Sequence, residues 1–172
     1  MKSLTQYIFE KQEEKKDEKI VESFIKFVEI KSKSELMNLL KEYDSDEKKK
    51  TGFWLFDELI NKDKEYAIVD EGKLKIKYTE VKYQSETVGL IGYSIDYNEE
   101  FYKPALHIFG LQTLNGHKGF LKYYFKYLET IAKNNTKRFI TLQLYDKEKI
   151  KLYKKYKFKT SSKENEIMFK EM

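Results

Sequence analysis

The spacing of apolar residues is clearest between residues 121 and 135. Apolar side chains recur there at intervals of three and four residues, while lysines and a glutamate occupy the opposite side. A repeat of this kind predicts an amphipathic helix that packs on a core. Asn134 and Asn135 suit its end, because asparagine tolerates left-handed backbone at a helix C-terminus. The apolar side of the helix consists of Leu121, Tyr124, Phe125, Leu128, Ile131 and Ala132.

The pattern changes to strict alternation directly after this helix. Over residues 138–145, Ile140, Leu142 and Leu144 alternate with polar or amphipathic side chains. A period of two predicts a strand. Asp146 is suited to cap a short helix that follows over residues 147–155.

Shorter patterns occupy the earlier part of the chain. Residues 24–30 are rich in branched and aromatic side chains, which predicts a strand. Ser32 and Glu35 have the spacing of a capping box, and the leucines after them predict a helix. Residues 70–72, Asp-Glu-Gly, predict a turn. Further elements are predicted as a helix over 52–60 and as strands over 66–69, 74–83, 87–97 and 105–114.

The order of these elements predicts the fold class. Antiparallel strands followed by a β-α-β-α-β run imply a mixed, mostly antiparallel sheet with helices on both faces, an α/β (α+β) fold. The length of 172 residues suits one domain with one core. We expect residues 23–172 to form that domain and residues 1–22, which include a charge run, to form a helical extension or a loosely docked arm.

Glycines mark two places in this order. Gly89 and Gly92 lie in a predicted strand, where they allow a bulge or a close approach of another group. Gly116 and Gly119 lie between the strand over 105–114 and the amphipathic helix. A loop at a helix start exposes backbone N–H groups beside the positive end of the helix dipole, so it can bind phosphate. An ordinary strand-to-helix turn is the structural alternative.

Residues 105–158 resemble the C-terminal half of the GNAT (Gcn5-related) N-acetyltransferases. The Q/R-x-x-G-x-G/A loop of that family falls on residues 116–121, where Gly119 matches the central glycine. Gly116 replaces the Gln or Arg, and Leu121 replaces the small last residue. The family's L-Y-x-x-x-G-F segment falls on residues 152–158, with Lys157 in place of the glycine. The resemblance implies a GNAT-like three-layer fold with acetyl-CoA as co-substrate.

The resemblance also implies where acetyl-CoA binds. The strand before the loop would offer backbone groups to the pantetheine arm, and the loop would offer amides to the pyrophosphate. His117, Lys118 and Lys122 would add charge or side-chain hydrogen bonds. The implied cofactor-binding residues are Leu111, Gln112, Thr113, Gly116, His117, Lys118, Gly119, Phe120, Leu121 and Lys122.

Two residues are implied for the chemistry. Tyr153 stands at the family's tyrosine, which can donate a proton to the departing thiolate. Ala105 falls at the usual base position and cannot act, whereas His107 shares its strand face and titrates in the right range. For both residues the alternative is structural, as a packed tyrosine and a buried, hydrogen-bonded histidine. Asp96, Glu99 and Glu100 could instead act as bases through water.

Composition narrows the remaining classes. The chain has no cysteine, which excludes disulfides and a cysteine nucleophile, and it shows no metal-ligand motif, so we expect no metal. The net charge of +5 is too mild to argue by itself for a nucleic-acid partner. No apolar run approaches the roughly 20 residues that a membrane span needs. We expect a cytoplasmic protein that has no membrane partner and could form a homodimer.

Two functions remain open from the sequence. The first is transfer of an acetyl group from acetyl-CoA to a small-molecule or protein amine by direct attack. The second is a GNAT-like module that has lost catalysis and binds a protein or nucleic-acid partner. The departures at Gly116, Leu121 and Lys157 favour the second function, whereas the order of elements and the absence of cysteine fit the first.

Overall fold

The computed structural model describes residues 22–42, 69–70, 73–74, 76–95, 102–113, 119–144, 147–162 and 166–172. The predicted arm lies outside this set up to residue 21, as does the helix predicted over 52–60. Glu22, at the start of the described chain, forms an ion pair with Lys126.

The described chain contains nine strands and three α-helices, and residues 22–24, directly before the first strand, are also helical. The strands are β1 (Ile25–Ile30), β2 (Val69–Asp70), β3 (Lys73–Leu74), β4 (Lys77–Tyr83), β5 (Glu86–Ser94), β6 (Ala105–Thr113), β7 (Phe139–Gln143), β8 (Lys159–Thr160) and β9 (Ile167–Glu171). The helices are α1 (Lys33–Glu42), α2 (Leu121–Asn134) and α3 (Ile150–Lys155), and a 3₁₀ turn at Lys147–Lys149 precedes α3.

Seven strands form one sheet in the order β1-β4-β5-β6-β7-β9-β8. Only β6 and β7 run parallel, and α2 connects them; every other neighbouring pair is antiparallel. The predicted mixed, mostly antiparallel sheet is therefore confirmed. The single strand predicted over 74–83 is wrong at its start, because Leu74 pairs with Val69 in a separate two-stranded sheet.

Local sequence explains where α1 begins. The Glu35 amide donates to the Ser32 hydroxyl at 3.1 Å, and the Lys31 amide donates to the Glu35 carboxylate at 2.9 Å. The predicted capping box thus forms, with the glutamate reaching one residue further back than the usual pattern. The helix then buries Leu36 and Leu40 against the sheet.

A hydrophobic cluster lies on each face of the sheet. The larger one, the α2 cluster, joins α2 to the sheet and includes four residues of the predicted helix face, Tyr124, Phe125, Leu128 and Ala132. The smaller one, the α1 cluster, joins α1 to the other face through residues such as Ile30, Tyr78 and Leu90. The molecule therefore has three layers, with helices on both faces as predicted. None of the described helices has both the length and the apolar character needed to cross a bilayer.

Candidate active site

The site is organised by the point where β6 and β7 stop pairing. Their parallel ladder covers Ala105–Ile108 opposite Phe139–Leu142, but β6 continues to Thr113. On its other side β6 stays paired with β5 up to Thr113 opposite Gly89. The two parallel strands therefore separate after Ile108, which leaves an opening in the middle of the sheet.

A β-bulge lies at the start of this opening. Gly92 of β5 faces Gly110, whereas its neighbour Tyr93 faces Ile108, so Phe109 is an extra residue in β6. A bulge bends its strand and increases the local twist. Gly92 had been predicted to mark a bulge or close approach, and it stands opposite this one. The bend explains why β6 leaves β7 at this residue.

The predicted pantetheine-binding residues Leu111, Gln112 and Thr113 follow the bulge. They form the part of β6 that the ladder with β7 does not reach. Gln112 is buried, and Leu111 packs against the α2 cluster. Their position at the edge of the opening is suited to main-chain pairing with an extended ligand.

The described part of the predicted phosphate loop consists of Gly119 and the start of α2, while Gly116, His117 and Lys118 lie outside the described residues. Gly119 has φ +91°, in the left-handed region that favours glycine. A Cβ built on Gly119 would meet no atom within 4 Å. Glycine is therefore favoured here by backbone conformation and not by lack of space.

The start of α2 is suited to an anion. Its first helical hydrogen bonds are donated by Tyr123 and Tyr124 to the Phe120 carbonyl, so the amides of Leu121 and Lys122 precede them. No acidic residue occupies the first turn. The Leu121 side chain packs against the α2 cluster. This packing places the bulk of the leucine against the core.

Tyr153 lies on α3 among aromatic rings. Its ring meets Phe125 of α2 edge-on at 6.3 Å and Phe158 at 6.2 Å between centroids. The side chain is half-buried against the α2 cluster. These contacts fix the direction of the phenol ring relative to α2, whose first turn is the candidate phosphate site.

The end of α3 explains one departure from the GNAT pattern. Lys157 has φ +69°, and its amide donates to the Lys154 carbonyl at 3.0 Å. Phe158 then donates to the Tyr153 carbonyl at 3.3 Å. A glycine commonly ends a helix in this left-handed conformation. Lys157 thus adopts a conformation in which glycine is usual, at a cost in backbone strain.

His107 lies on β6 just before the bulge and is buried. Its Nδ1 atom is 2.9 Å from the Thr141 hydroxyl of β7, and its ring meets Phe109 at 4.7 Å. Burial lowers the pKa of His107 to about 4. The expectation that it titrates near neutrality is therefore not met, because removal from water disfavours the charged imidazolium. The imidazole is neutral at pH 7.

The two candidate catalytic groups lie on opposite faces of the sheet. Leu106 and Ile108 belong to the α2 cluster, and Tyr153 packs against the same cluster. Phe109 instead packs against the α1 cluster on the other face. Strand alternation places His107 on the Phe109 side. The opening between β6 and β7 is the region that both faces share. The alternative bases Asp96, Glu99 and Glu100 lie outside the described residues.

Tyr124 was not among the predicted site residues, although it contacts one of them. Tyr124 is fully buried on α2, and its hydroxyl lies between Val88 of β5 and Thr113 at the end of β6. Gly89 provides the space for it. The strand glycine was a visible signal of close approach, but the periodicity of α2 predicted only packing for Tyr124. Within the described residues, no group of three or more histidines and carboxylates is placed to hold a metal.

Comparison with solved structures gives matches over most of the chain. Campylobacter jejuni N-acetyltransferase PseH in complex with acetyl-coenzyme A is 15% identical, with TM-score 0.53 over 86% of this chain and 99% of that one. PaiA N-acetyltransferase from Thermoplasma acidophilum with coenzyme A is 17% identical, with TM-score 0.56 over 86% and 99%. Spermidine N-acetyltransferase SpeG (N152L mutant) from Vibrio cholerae is 12% identical, with TM-score 0.53 over 87% and 94%.

Comparison by sequence does not relate the chain to known proteins. No family model matches the chain, and the search of curated proteins gives no match. At these identities the structural matches establish the fold and nothing finer. The resemblance drawn from residues 105–158 is confirmed at that level: the chain has the fold of the GNAT acetyltransferases.

Proposed function

We propose that this protein is an N-acetyltransferase that transfers the acetyl group of acetyl-CoA to a primary amine. The observation that carries the proposal is the separation of β6 from β7 after Ile108, followed by left-handed Gly119 and the start of α2. An extended thioester ligand can enter the opening while its phosphates meet the helix N-terminus. The fold, shared with acetyltransferases that bind acetyl-CoA and CoA, supports this use of the opening.

The proposed binding mode divides the ligand between two segments. The pantetheine arm pairs with the backbone of Leu111, Gln112 and Thr113. The pyrophosphate meets the amides of residues 116–121, with charge from His117, Lys118 and Lys122. The absence of an acidic residue in the first turn of α2 supports this arrangement, since a carboxylate there would repel the phosphates.

The proposed reaction is direct attack. The amine nitrogen bonds to the thioester carbonyl carbon, the carbon–sulfur bond breaks, and the Tyr153 hydroxyl gives its proton to the departing thiolate. The proton lost by the amine passes to His107 or to water held near it. A neutral imidazole has a lone pair for this role, but a pKa of about 4 makes it a weak base. Relay to water is therefore the favoured route.

The acceptor class is part of the proposal. The protein named spermidine N-acetyltransferase has this fold, which supports a small-molecule amine as the acceptor here. Spermidine is the first acceptor to test. The alternative, a module without catalysis, is favoured by Gly116 at the family's Gln or Arg position. The departures at Leu121 and Lys157 do not favour loss of function. Leu121 packs against the core, and Lys157 adopts the left-handed conformation that suits a glycine.

Calorimetric titration with acetyl-CoA and with CoA tests the proposal, using a matched pair of variants at residue 119. Asparagine and aspartate have nearly the same shape, and both tolerate left-handed backbone better than other residues. Gly119→Asn should keep most of the wild-type affinity. Gly119→Asp should abolish binding, because its charge repels the pyrophosphate, while circular dichroism shows the fold intact.

Two outcomes would count against the proposal. Wild-type protein that gives no heat and no thermal shift with millimolar CoA would end it, and the module without catalysis would take its place. Equal affinity of the Gly119→Asn and Gly119→Asp variants would show that the phosphates bind elsewhere.

A further inference from the structure

The Tyr124 hydroxyl joins three elements beside the proposed cofactor site. Tyr124 is the fourth residue of α2 and is fully buried. Its oxygen lies 3.5 Å from the Val88 carbonyl of β5 and also hydrogen-bonds the side chain of Thr113, the last residue of β6. One hydroxyl therefore contacts the end of β6 and the start of α2, which are the two described ends of the segment proposed to hold the phosphates.

The directions of these hydrogen bonds follow from the chemistry of the groups. A carbonyl oxygen only accepts, so Tyr124 must donate to Val88 and Thr113 must donate to Tyr124. Burial raises the pKa of Tyr124 to about 12, and the bond from Thr113 acts in the opposite direction, as a bond donated to the phenol oxygen should. The phenol stays neutral at physiological pH.

Gly89 makes this arrangement sterically possible. A Cβ at residue 89 would lie 2.0 Å from the Tyr124 hydroxyl oxygen and 2.4 Å from the Gln112 carbonyl oxygen. The register of β5 also shifts beside this point, with Val81 opposite Gly89 and Lys82 opposite Thr87, so Val88 is an extra residue. The bulge at Val88 and the missing side chain at Gly89 together let β5 approach the Tyr124 hydroxyl closely.

We propose that Tyr124 is a positioning residue that sets the distance between Thr113 and the first turn of α2, and so pre-orders the amides of residues 119–122 for the CoA phosphates. The inference rests on the proposed function. Binding costs less when the binding amides are already ordered. Loss of the hydroxyl leaves the ring in the core but releases the end of β6 from the helix. Cofactor affinity should fall without any change at the reacting atoms.

Tyr127 provides a matched control on the same helix. Its hydroxyl lies 3.3 Å from the Thr79 hydroxyl, and its ring stacks on Phe27 at 4.3 Å. The hydroxyl also hydrogen-bonds Tyr93 of β5, which faces Ile108 of β6. These contacts of Tyr127 are therefore with β4, β1 and this part of β5, away from the end of β6. Tyr127→Phe removes a hydroxyl of the same kind from the same helix–sheet interface. A purely structural role for both hydroxyls predicts equal effects of the two substitutions.

The first measurement is the affinity of Tyr124→Phe and Tyr127→Phe for CoA by calorimetry. We expect Tyr124→Phe to bind about tenfold more weakly, on the scale of one lost hydrogen bond. Tyr127→Phe should bind as the wild type does. With an identified acceptor, Tyr124→Phe should raise the KM for acetyl-CoA at unchanged kcat. Thr113→Val should weaken binding similarly, and the double variant should show no further loss, because both remove one interaction.

Hydrogen exchange gives a readout that needs no cofactor. Amides of residues 113 and 119–122 should exchange faster in Tyr124→Phe than in Tyr127→Phe at matched global stability. Equal CoA affinities, or equal exchange of these amides in the two variants, would overturn the positioning role. If wild-type protein binds no CoA, the proposed function fails, and the exchange comparison still decides whether Tyr124 orders this segment.

Discussion

The two candidate catalytic side chains have opposite surroundings. Tyr153 lies on the α2 side among the rings of Phe125 and Phe158 and is half-buried. His107 lies on the other face in a row of buried polar residues, with Ser94 and Thr141 as its cross-strand partners. Aromatic contacts stabilise the fold whether or not the phenol acts. Burying a row of polar side chains costs desolvation free energy, so the presence of this row is not explained by stability alone.

This difference shows which structural observations bear on function. The packing of Tyr153 is compatible with a catalytic role and with a structural one, so only a change that spares the ring can separate them. The burial of His107 lowers its pKa, and a pKa that differs between the folded and unfolded states makes the free energy of unfolding depend on pH. Each group therefore calls for a different measurement.

The largest effect is expected at Tyr153. Tyr153→Phe should lower turnover on an identified amine by about a hundred- to ten-thousand-fold, the range for one lost acid–base group. CoA affinity should stay the same, and the free energy of unfolding should change by less than about 1 kcal/mol, because the ring contacts remain. Steady-state kinetics and denaturant unfolding measure both quantities.

Tyr156→Phe is the control for that substitution. Tyr156 follows α3 directly, and its ring meets Phe125 at 4.7 Å, so the variant removes a neighbouring phenol from the same aromatic group. Its turnover should match the wild type. Full activity of Tyr153→Phe would show that Tyr153 only packs, and the acid would then be water or another residue.

The next effect concerns His107 and pH. Its pKa is about 4 in the folded protein, against 6.5 when unperturbed. Between pH 6.5 and pH 4 the unfolded chain binds a proton that the folded protein does not. Stability should therefore fall as the pH is lowered through this window, by roughly 3 kcal/mol in total from this group. Above pH 6.5 the group adds no pH dependence.

Urea unfolding at several pH values measures this contribution as a difference. The wild type should lose more stability between pH 6.5 and pH 4 than His107→Gln, whose side chain does not titrate. The chain has only two histidines, so His117→Gln serves as the control and should keep the wild-type slope. Equal slopes for the wild type and His107→Gln would show that the histidine is accessible to protons when folded.

The smallest effect is expected at the end of α3, the helix that carries Tyr153. Lys157→Gly should raise the free energy of unfolding by up to about 1 kcal/mol, since glycine adopts φ +69° without strain. Lys155→Gly, at the last residue of α3, should lower it by up to about 1 kcal/mol, because glycine is a poorer helix former than lysine. Thermal unfolding of the two variants gives the comparison. A destabilised Lys157→Gly would mean that the lysine side chain contributes more than its backbone costs.

The sequence predicted most of the local elements because each depends on nearby residues. The periodicity of α2, the capping box of α1 and the alternation of β7 all appear in the structure. The pairing of β7 with β9 along its other edge was beyond that reasoning, because it joins residues far apart in sequence. A strand, a turn and a second strand were predicted around β2 and β3, but the break between β3 and β4 was missed, since alternation from Leu74 to Tyr83 looks continuous.

The site was predictable only where backbone conformation left a trace in the residue type. Gly119 signalled its left-handed backbone, but Lys157 gave no such signal for the same kind of conformation. Periodicity could place Tyr124 on the buried face and could not show that its hydroxyl meets Thr113 and Val88. Alternation placed His107 in a strand, yet its pKa depends on how deeply the sheet is covered.

The two outer strands of the large sheet differ in what they offer to another molecule. At one end β8 has only two residues, Lys159 and Thr160, and both are exposed. A short strand with a lysine is a poor template for edge-to-edge pairing. At the other end β1 has six residues and leaves Val28 exposed, while Lys26 and Glu29 supply charge. Among the described strands β1 is therefore the edge better suited to pairing with another chain, and added charge at Val28 should weaken such pairing.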